Sequence, residues 1–562
     1  MIRPVQTSAR VLAAIAVLGA AALPALGVGA FPASAASAAV SSTPYTEING
    51  AGSSWSALLL DEWSTHMATS LNMTVNFNPE GSAEGRQAYS EGQEEFAASD
   101  PPFRNGKDYL DPNGRESELP VPFNYSYVPD TAGGTAFMYH LVVNGKRITN
   151  LRLSPQVLME IFTGKITNWD SPAITKIYGA QLPNLPIIPV VRSDGSGATY
   201  FFTKYMSIVY PTQWNNFCKQ VPHIRFTGNC GPTEFYPESG WSSSEKAENG
   251  STNMADYINS SFANGAIGYD EYAYAKSLHI PVVEVLNPGG YFVTPTAGNV
   301  AVALTEAQIN EDPSSPNFLQ QNLTRIYTFK DIRSYPFSSY SYLIVPRQPG
   351  GKVPSVFSSG AGRSLSTYID YFLCAGQGDA ANVGYSPIPL KLVQGGLLQV
   401  THIPGHIPGP NRQTLAGCPN PTFSGTELTV LKTAPNPPKC DKLGEPLDCS
   451  SGSSGNGNGG GKGGSGGTGK GGTGSNGTGG SGSGTDTGGS NPVTGGGGGS
   501  SSSGGDGSAS VGDPQGQVIN LASDGSSQPA LEVLTAVAIV VAIAAPPALV
   551  IWLRRRRGQA SG

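Results

Sequence analysis

The chain predicts an α/β fold whose parallel sheets turn their carboxyl ends toward a common cleft, and three stretches carry that prediction. Ile48 to Trp55, Met73 to Gly85 and Leu185 to Ala198 each pass from an extended apolar run through a loop of Ser and Gly into helical spacing. Strand, tight loop and helix in that order are the repeating unit of a parallel sheet. The free N–H groups of each first helical turn lie at the positive end of the helix dipole, so each turn can seat an anion.

Taken in order, residues 1–35 read as a signal peptide. Arg3 and Arg10 precede a long apolar run that ends in Ala33-Ser34-Ala35, and the absence of cysteine there closes the route of lipid anchoring through an N-terminal Cys. INGAGSSW, ending at Trp55, gives a strand and a glycine loop, with a helix expected from Ala57 to Ser70. Met73 to Phe77 alternates as a strand and leads into EGSAEG, after which Arg86 to Glu95 is expected to be helical. Phe96 to Asp100 reads as a short buried strand ending in a carboxylate, stopped by Pro101-Pro102. Ala136 to Val143 is a further apolar strand, and Ser154-Pro155 opens a helix to Phe162, with proline at its first position.

Leu185 to Val191 is the strand before RSDGSGATYFFTKY, where Phe201, Phe202, Tyr205, Met206 and Val209 recur at helical spacing. Arg192 adds a planar fork suited to oxyanions, Ser196 a hydroxyl, and the N–H groups of Ser196, Gly197 and Ala198 complete a seat. On these residues alone, Asp194 or Ser196 could instead only cap the helix, and Gly195 and Gly197 only turn the chain. GKITNWDSPAI and GAIGYDEYAYAK bring Trp169 and several tyrosines, which read as core. Ser338 to Val345 returns as a strand into that core.

The composition limits the partners. The formal net charge is -6, and 34 Lys+Arg less the six Arg of the terminal segments (Arg3, Arg10 and Arg554 to Arg557) leaves 28 against 40 Asp+Glu. Such an acidic surface excludes nucleic acid as the expected partner, and an anion site must work through local donors. No metal site is expected: the cysteines lack a C-x-x-C pair, and His402 and His406 lie in a Pro/Gly loop that cannot present both from one helix face. No cofactor motif is present either.

GAGSSW, EGSAEG, AASDPPF, GKITNW, RSDGSGATYFFTKY and GAIGYDEYAYAK occur in the order seen in the phosphate-binding protein of the phosphate ABC transporter, and the resemblance covers roughly Glu47 to Gly396. It implies a two-lobed receptor of the type II periplasmic-binding-protein fold. Its implied ligand is inorganic phosphate, held by Ser54, Trp55, Ser82, Asp100, Arg192, Ser196, Gly197 and Ala198, with Asp194 orienting Arg192. Its implied partner is the membrane permease of a phosphate ABC transporter. Trp55 replaces the family's usual Phe and Ala198 its usual Thr, which removes one hydroxyl donor. The expected organisation is 44–130 and 334–400 as one lobe and 131–333 as the other, with crossings near Asp130 to Thr135 and Arg333 to Ser338.

Beyond the resemblance, 401–450 is a proline-rich, cysteine-containing tail, and 451–527 is so dominated by Gly and Ser that it reads as a flexible linker. Residues 533–553 are apolar over a length that crosses a bilayer, and 554–562 begin with Arg554 to Arg557, which places that end in the cytoplasm and the binding domain outside. All six cysteines lie in the exported part, and the expected pairs are Cys218–Cys230, Cys374–Cys418 and Cys440–Cys449. Two other functions remain open on sequence: a membrane-tethered phosphoesterase using the same anion seat, and a wall-associated adhesion protein. No nucleophile elbow supports the former, and the three anion seats have no place in the latter.

Overall fold

The apolar stretches become one eight-stranded sheet in the computed structural model, which describes residues 44–447 except 113, 115, 116, 222–227, 238–243 and 350. In chain order the strands are β1 (Ile48–Gly52), β2 (Val75–Asn78), β3 (Phe96–Ser99), β4 (Tyr125–His140), β5 (Ile188–Arg192), β6 (Lys246–Glu248), β7 (Ala266–Glu271) and β8 (Ser338–Pro346). Their order across the sheet is β2-β1-β3-β8-β4-β7-β5-β6. At one end β2, β1 and β3 run parallel, at the other β7, β5 and β6 do, and the antiparallel strands β8 and β4 join the two sets. This is the two-lobed α/β arrangement.

The junction lies within β4. Its residues from Tyr125 to Gly134 pair with β8, and from Thr135 to His140 they pair with β7. The sequence predicts a strand only from Ala136; the observed strand also runs through Pro129 and the Gly133-Gly134 pair, residues that disfavour a central strand. The register of β8 slips between Tyr340 and Tyr342, opposite Ala132 and Pro129, and that irregularity accommodates a residue with no N–H to give.

Each parallel strand that matters here feeds a helix at its carboxyl end. The helices are α1 (Ala57–Leu71) after β1, α2 (Ser82–Glu91) after β2, α3 (Gly197–Val209) after β5 and α4 (Gly250–Asn259) after β6. The second helix starts earlier than Arg86 and stops before Glu95: Gly81 at φ 115 makes the turn, and Gly92 at φ 74 ends the helix in a left-handed cap. Ser82 is therefore in the first turn itself. Ser154 caps the helix Pro155–Phe162 as expected, its hydroxyl accepting from the Val157 N–H at 3.3 Å.

Trp169 is fully buried, its indole N–H donating to the Gly265 carbonyl at 3.0 Å, and elsewhere in the core Phe202 packs edge to face with Phe137 and Phe162 at centroid distances of 5.1 and 5.2 Å. The tail up to residue 447 is packed against the body. Cys374, at the end of α5 (Ser359–Leu373), is bonded to Cys418, and Cys218 to Cys230, matching two of the three expected pairs. Further along, Arg152 forms an ion pair with Asp441 and donates to the Cys440 carbonyl at 3.0 Å. Cys440 is disulfide-bonded, while its expected partner Cys449 lies outside the described residues, as do the signal peptide, the Gly/Ser linker, the apolar 533–553 stretch and the basic tail. Among the described residues no helix is long and apolar enough to cross a membrane.

Candidate anion-binding site

The four helix starts converge because the two parallel sets run in opposite directions along β4 and so point their carboxyl ends at each other across its middle. Three were anticipated. The fourth, at Gly250 and Ser251, was not, although Asn249-Gly250-Ser251 carries the same signal of glycine and hydroxyl before a helix.

Arg192, the last residue of β5, is 1% exposed. Its guanidinium donates through Nε to Asp194 Oδ1 at 2.7 Å and through Nη2 to Asp194 Oδ2 and to Ser54 Oγ, the latter at 2.8 Å. Nη1 donates to Asp270 Oδ2 at 2.8 Å and to Ser251 Oγ at 3.1 Å. Burial works against the charge, but Asp194 and Asp270 outweigh it and hold the guanidinium above its ordinary value. Asp194 is fixed in turn by the Gly250 N–H at 2.9 Å, so the fork cannot swing.

Asp100 follows β3 and is wholly buried. Its Oδ2 accepts from Ser53 Oγ at 2.7 Å and Ser82 Oγ at 3.0 Å, while Oδ1 has no partner. Burial pushes its carboxyl up, against the pull of the surrounding hydroxyls and of Arg192. Gly197 sits directly against it: a Cβ there would fall 1.7 Å from Asp100 Oδ2. The Ala83 N–H also donates to the Gly195 carbonyl at 3.0 Å, so the β1–β3 side and the β5 side touch.

The structure thus brings Ser54, Ser82, Asp100, Arg192, Asp194 and Gly197 into one enclosed cluster. Three details differ from the sequence reading. Trp55's main-chain N–H, expected to face the anion, donates to Ser53 Oγ at 3.1 Å. Its indole packs edge to face on Tyr385 at 5.8 Å, with Nε1 unpartnered. The Ser196 N–H donates to the Glu234 carbonyl at 3.0 Å and its hydroxyl caps α3 by accepting from the Thr199 N–H, so the capping alternative describes what Ser196 does here. The N–H groups of Ser54, Ser82, Gly197 and Ala198 have no partner among the described residues. Ala198 supplies no hydroxyl, and Thr199 does not replace it, since its Oγ1 pairs with the Tyr269 hydroxyl at 3.0 Å.

Sequence reading missed Ser53, Ser251, Asp270 and Tyr274, whose hydroxyl donates to the Ser54 carbonyl at 2.6 Å. Asp270 had a legible signal: Ala266 to Asp270 is a buried strand run that ends in an acid, as Phe96 to Asp100 is. Behind the cluster, Arg86 of α2 is clamped between Glu118 at 2.8 Å and Glu234 at 2.6 Å, and a cavity of about 1040 Å³ lined by Phe103, Tyr125, Tyr200 and Arg347 lies beyond that clamp. The anion residues themselves do not line it.

A family model described as a PBP superfamily domain matches residues 35–375. The phosphate-binding protein PstS of Pasteurella multocida is 29% identical over 351 residues, covering 62% of this chain and 88% of that protein. The PstS of Haemophilus influenzae is 26% identical over 350 residues, covering 62% and 90%. Among solved structures, a phosphate-binding protein from Stenotrophomonas maltophilia superposes with a TM-score of 0.46 at 13% identity, covering 67% of this chain and 99% of that one.

Proposed function

The chain belongs to the PBP superfamily, and from that premise we propose that it is an extracytoplasmic receptor that binds inorganic phosphate between its two lobes and hands it to the permease of an ABC-type importer. The observation that carries the reading is the opposition of Arg192, fixed by Asp194, and Asp100, whose free Oδ1 can accept a ligand proton. Around them the N–H groups of Ser54, Ser82, Gly197 and Ala198 supply donors for the remaining oxygens. An oxyanion that still carries a proton fits both halves of that arrangement. Lobe boundaries at 131 and 333 belong to the same proposal, with 44–130 and 334–400 on one side of the ligand.

The hydroxyls present support ligand binding over ester hydrolysis. Ser54 is hydrogen-bonded to Ser251 and Arg192, and among the described residues no histidine bonds to a serine of the cluster to take its proton. The membrane tether is proposed from sequence alone, from the apolar 533–553 stretch and the arginines after it. Calorimetric titration with phosphate and sulfate tests the receptor: one phosphate per chain with sulfate far weaker is expected. Equal binding of both, or turnover of p-nitrophenyl phosphate abolished by Ser54→Ala, would displace this reading in favour of a general anion site or an esterase.

A further inference from the structure

Arg192 carries two carboxylates where one suffices to orient it. All of its N–H groups are used: Asp194 takes Nε and one hydrogen of Nη2, Asp270 takes one hydrogen of Nη1, and Ser54 and Ser251 take the others. Because arginine only donates, both serine oxygens accept from it. Ser251 then gives its own proton to Asp270 Oδ1 at 2.8 Å, which leaves Ser54 as the donor in the 2.9 Å contact between the two hydroxyls. The protons therefore run in one direction, from Ser54 to Ser251 to Asp270. When an oxyanion draws the Ser54 hydroxyl to itself, the Ser251 oxygen is free to accept a proton from the ligand, and Asp270 stands behind it as the final acceptor.

Asp270 is completely buried, and its titratable neighbours are Arg192 and Asp194 from the β5 loop, Glu271 and Tyr269 on its own strand, and Tyr274 and Tyr385 from packed elements. Arg192 is the one cation among them. With Asp100 also facing Arg192, three carboxyl groups share a single guanidinium. An extra buried negative charge repels a dianion twice as strongly as a monoanion. At ~6 Å and an effective dielectric of ~20 that difference is on the order of a hundredfold in affinity.

Resting on the phosphate-receptor reading, we propose that Asp270 is a specificity-determining residue: it tunes the cleft to the singly charged, dihydrogen form of phosphate, so that a proton enters with each dianion captured from alkaline solution. One ligand P–OH donates to the free Oδ1 of Asp100 and the second to Ser251, backed by Asp270. The proton comes from solvent and is held along the ligand–Ser251–Asp270 line, and no bond to phosphorus changes.

The test is calorimetry with inorganic phosphate in two buffers of different ionisation enthalpy at about pH 8.5, joined to an affinity profile down to about pH 6. The parent chain should take up close to one proton per phosphate, and its affinity should fall roughly tenfold per pH unit above the ligand's second ionisation. Asp270→Asn should take up less than half as much, flatten the profile and bind more tightly at the alkaline end. Ser251→Ala, which cuts the relay but keeps the Arg192–Asp270 pair, should also lower the proton count. A parent that takes up no proton overturns the proposal whether or not either variant folds, and so does a folded Asp270→Asn protein with the parental count and slope. A parent that binds no phosphate at any pH fails the receptor reading itself, and the proposal falls with it.

Discussion

Asp100 accepts two serine hydroxyls on one oxygen and keeps the other free. A carboxylate there can only accept, so it favours a ligand that still has a proton and repels one that does not. Two unit charges at ~4 Å and an effective dielectric of ~20 repel by about 4 kcal/mol, or about a thousandfold in affinity. Asp100→Asn keeps the size, removes the charge and adds a donor. Sulfate affinity is then expected to rise sharply relative to phosphate, and a phosphate-to-sulfate ratio identical in parent and variant would refute the role. The same residue scale explains why Arg192 is legible and its setting is not. Arg192 at the end of an apolar strand announces a fork, and the resemblance supplies Asp194 as its partner, whereas Asp270 and Ser251 reach it from 78 and 59 residues away in the chain.

At the scale of elements, the start of α3 is built for close approach. Gly197 holds an ordinary helical position, so alanine there would suit the helix itself, yet its Cβ would lie 1.7 Å from Asp100 Oδ2. Gly197→Ala is expected to leave the thermal unfolding of the unliganded chain near the parental value and to weaken phosphate roughly a hundredfold by blocking closure. Parental affinity in that variant would show that the two sides need not touch. Elsewhere in the fold, Asp370 of α5 is packed beside Gly409 of the tail with Oδ1 unpartnered, and burial pushes its carboxyl from 3.8 up to about 7. A folded-state value above the unfolded one means that the folded chain holds the extra proton. That stabilising contribution is full below the unfolded value and is lost as pH rises through about 7. The unfolding midpoint of the parent should therefore decline across that window, and Asp370→Asn should flatten the decline. A decline of equal size in the variant assigns it to other groups.

For the whole molecule, the site's contacts come from both ends of the sheet, so a ligand can enter only if the β1–β3 side separates from the β5–β7 side. Bound phosphate then favours the closed state through contacts available only there. Small-angle scattering should show a smaller radius of gyration at saturating phosphate than without it, and superimposable curves would remove lobe closure from the mechanism. The proposed tether is tested on the same scale. A chain ending at Ser527 should be released to the medium with its phosphate affinity intact, while retention in the membrane fraction would assign the anchor to another segment.

The sequence by itself determined the strand–loop–helix units, the α/β class, and Arg192 and Asp100 each at a strand end. Each of these is written in local spacing: an apolar run sets the strand, and Ser and Gly set the turn that follows it. Tertiary structure alone decided that β4 runs unbroken through Pro129 from one half of the sheet to the other, because the cost of a missing N–H was settled by a register slip in a distant strand. It also decided which donors stay open. Ser196 and Trp55 lost their N–H groups to Glu234 and Ser53, while Ser251 and Asp270 came to Arg192 through the parallel pairing of β5 with β6 and β7. Hydrogen-bond capacity is a property of each residue, but its use is fixed only when the folded chain brings competing partners within about 3 Å.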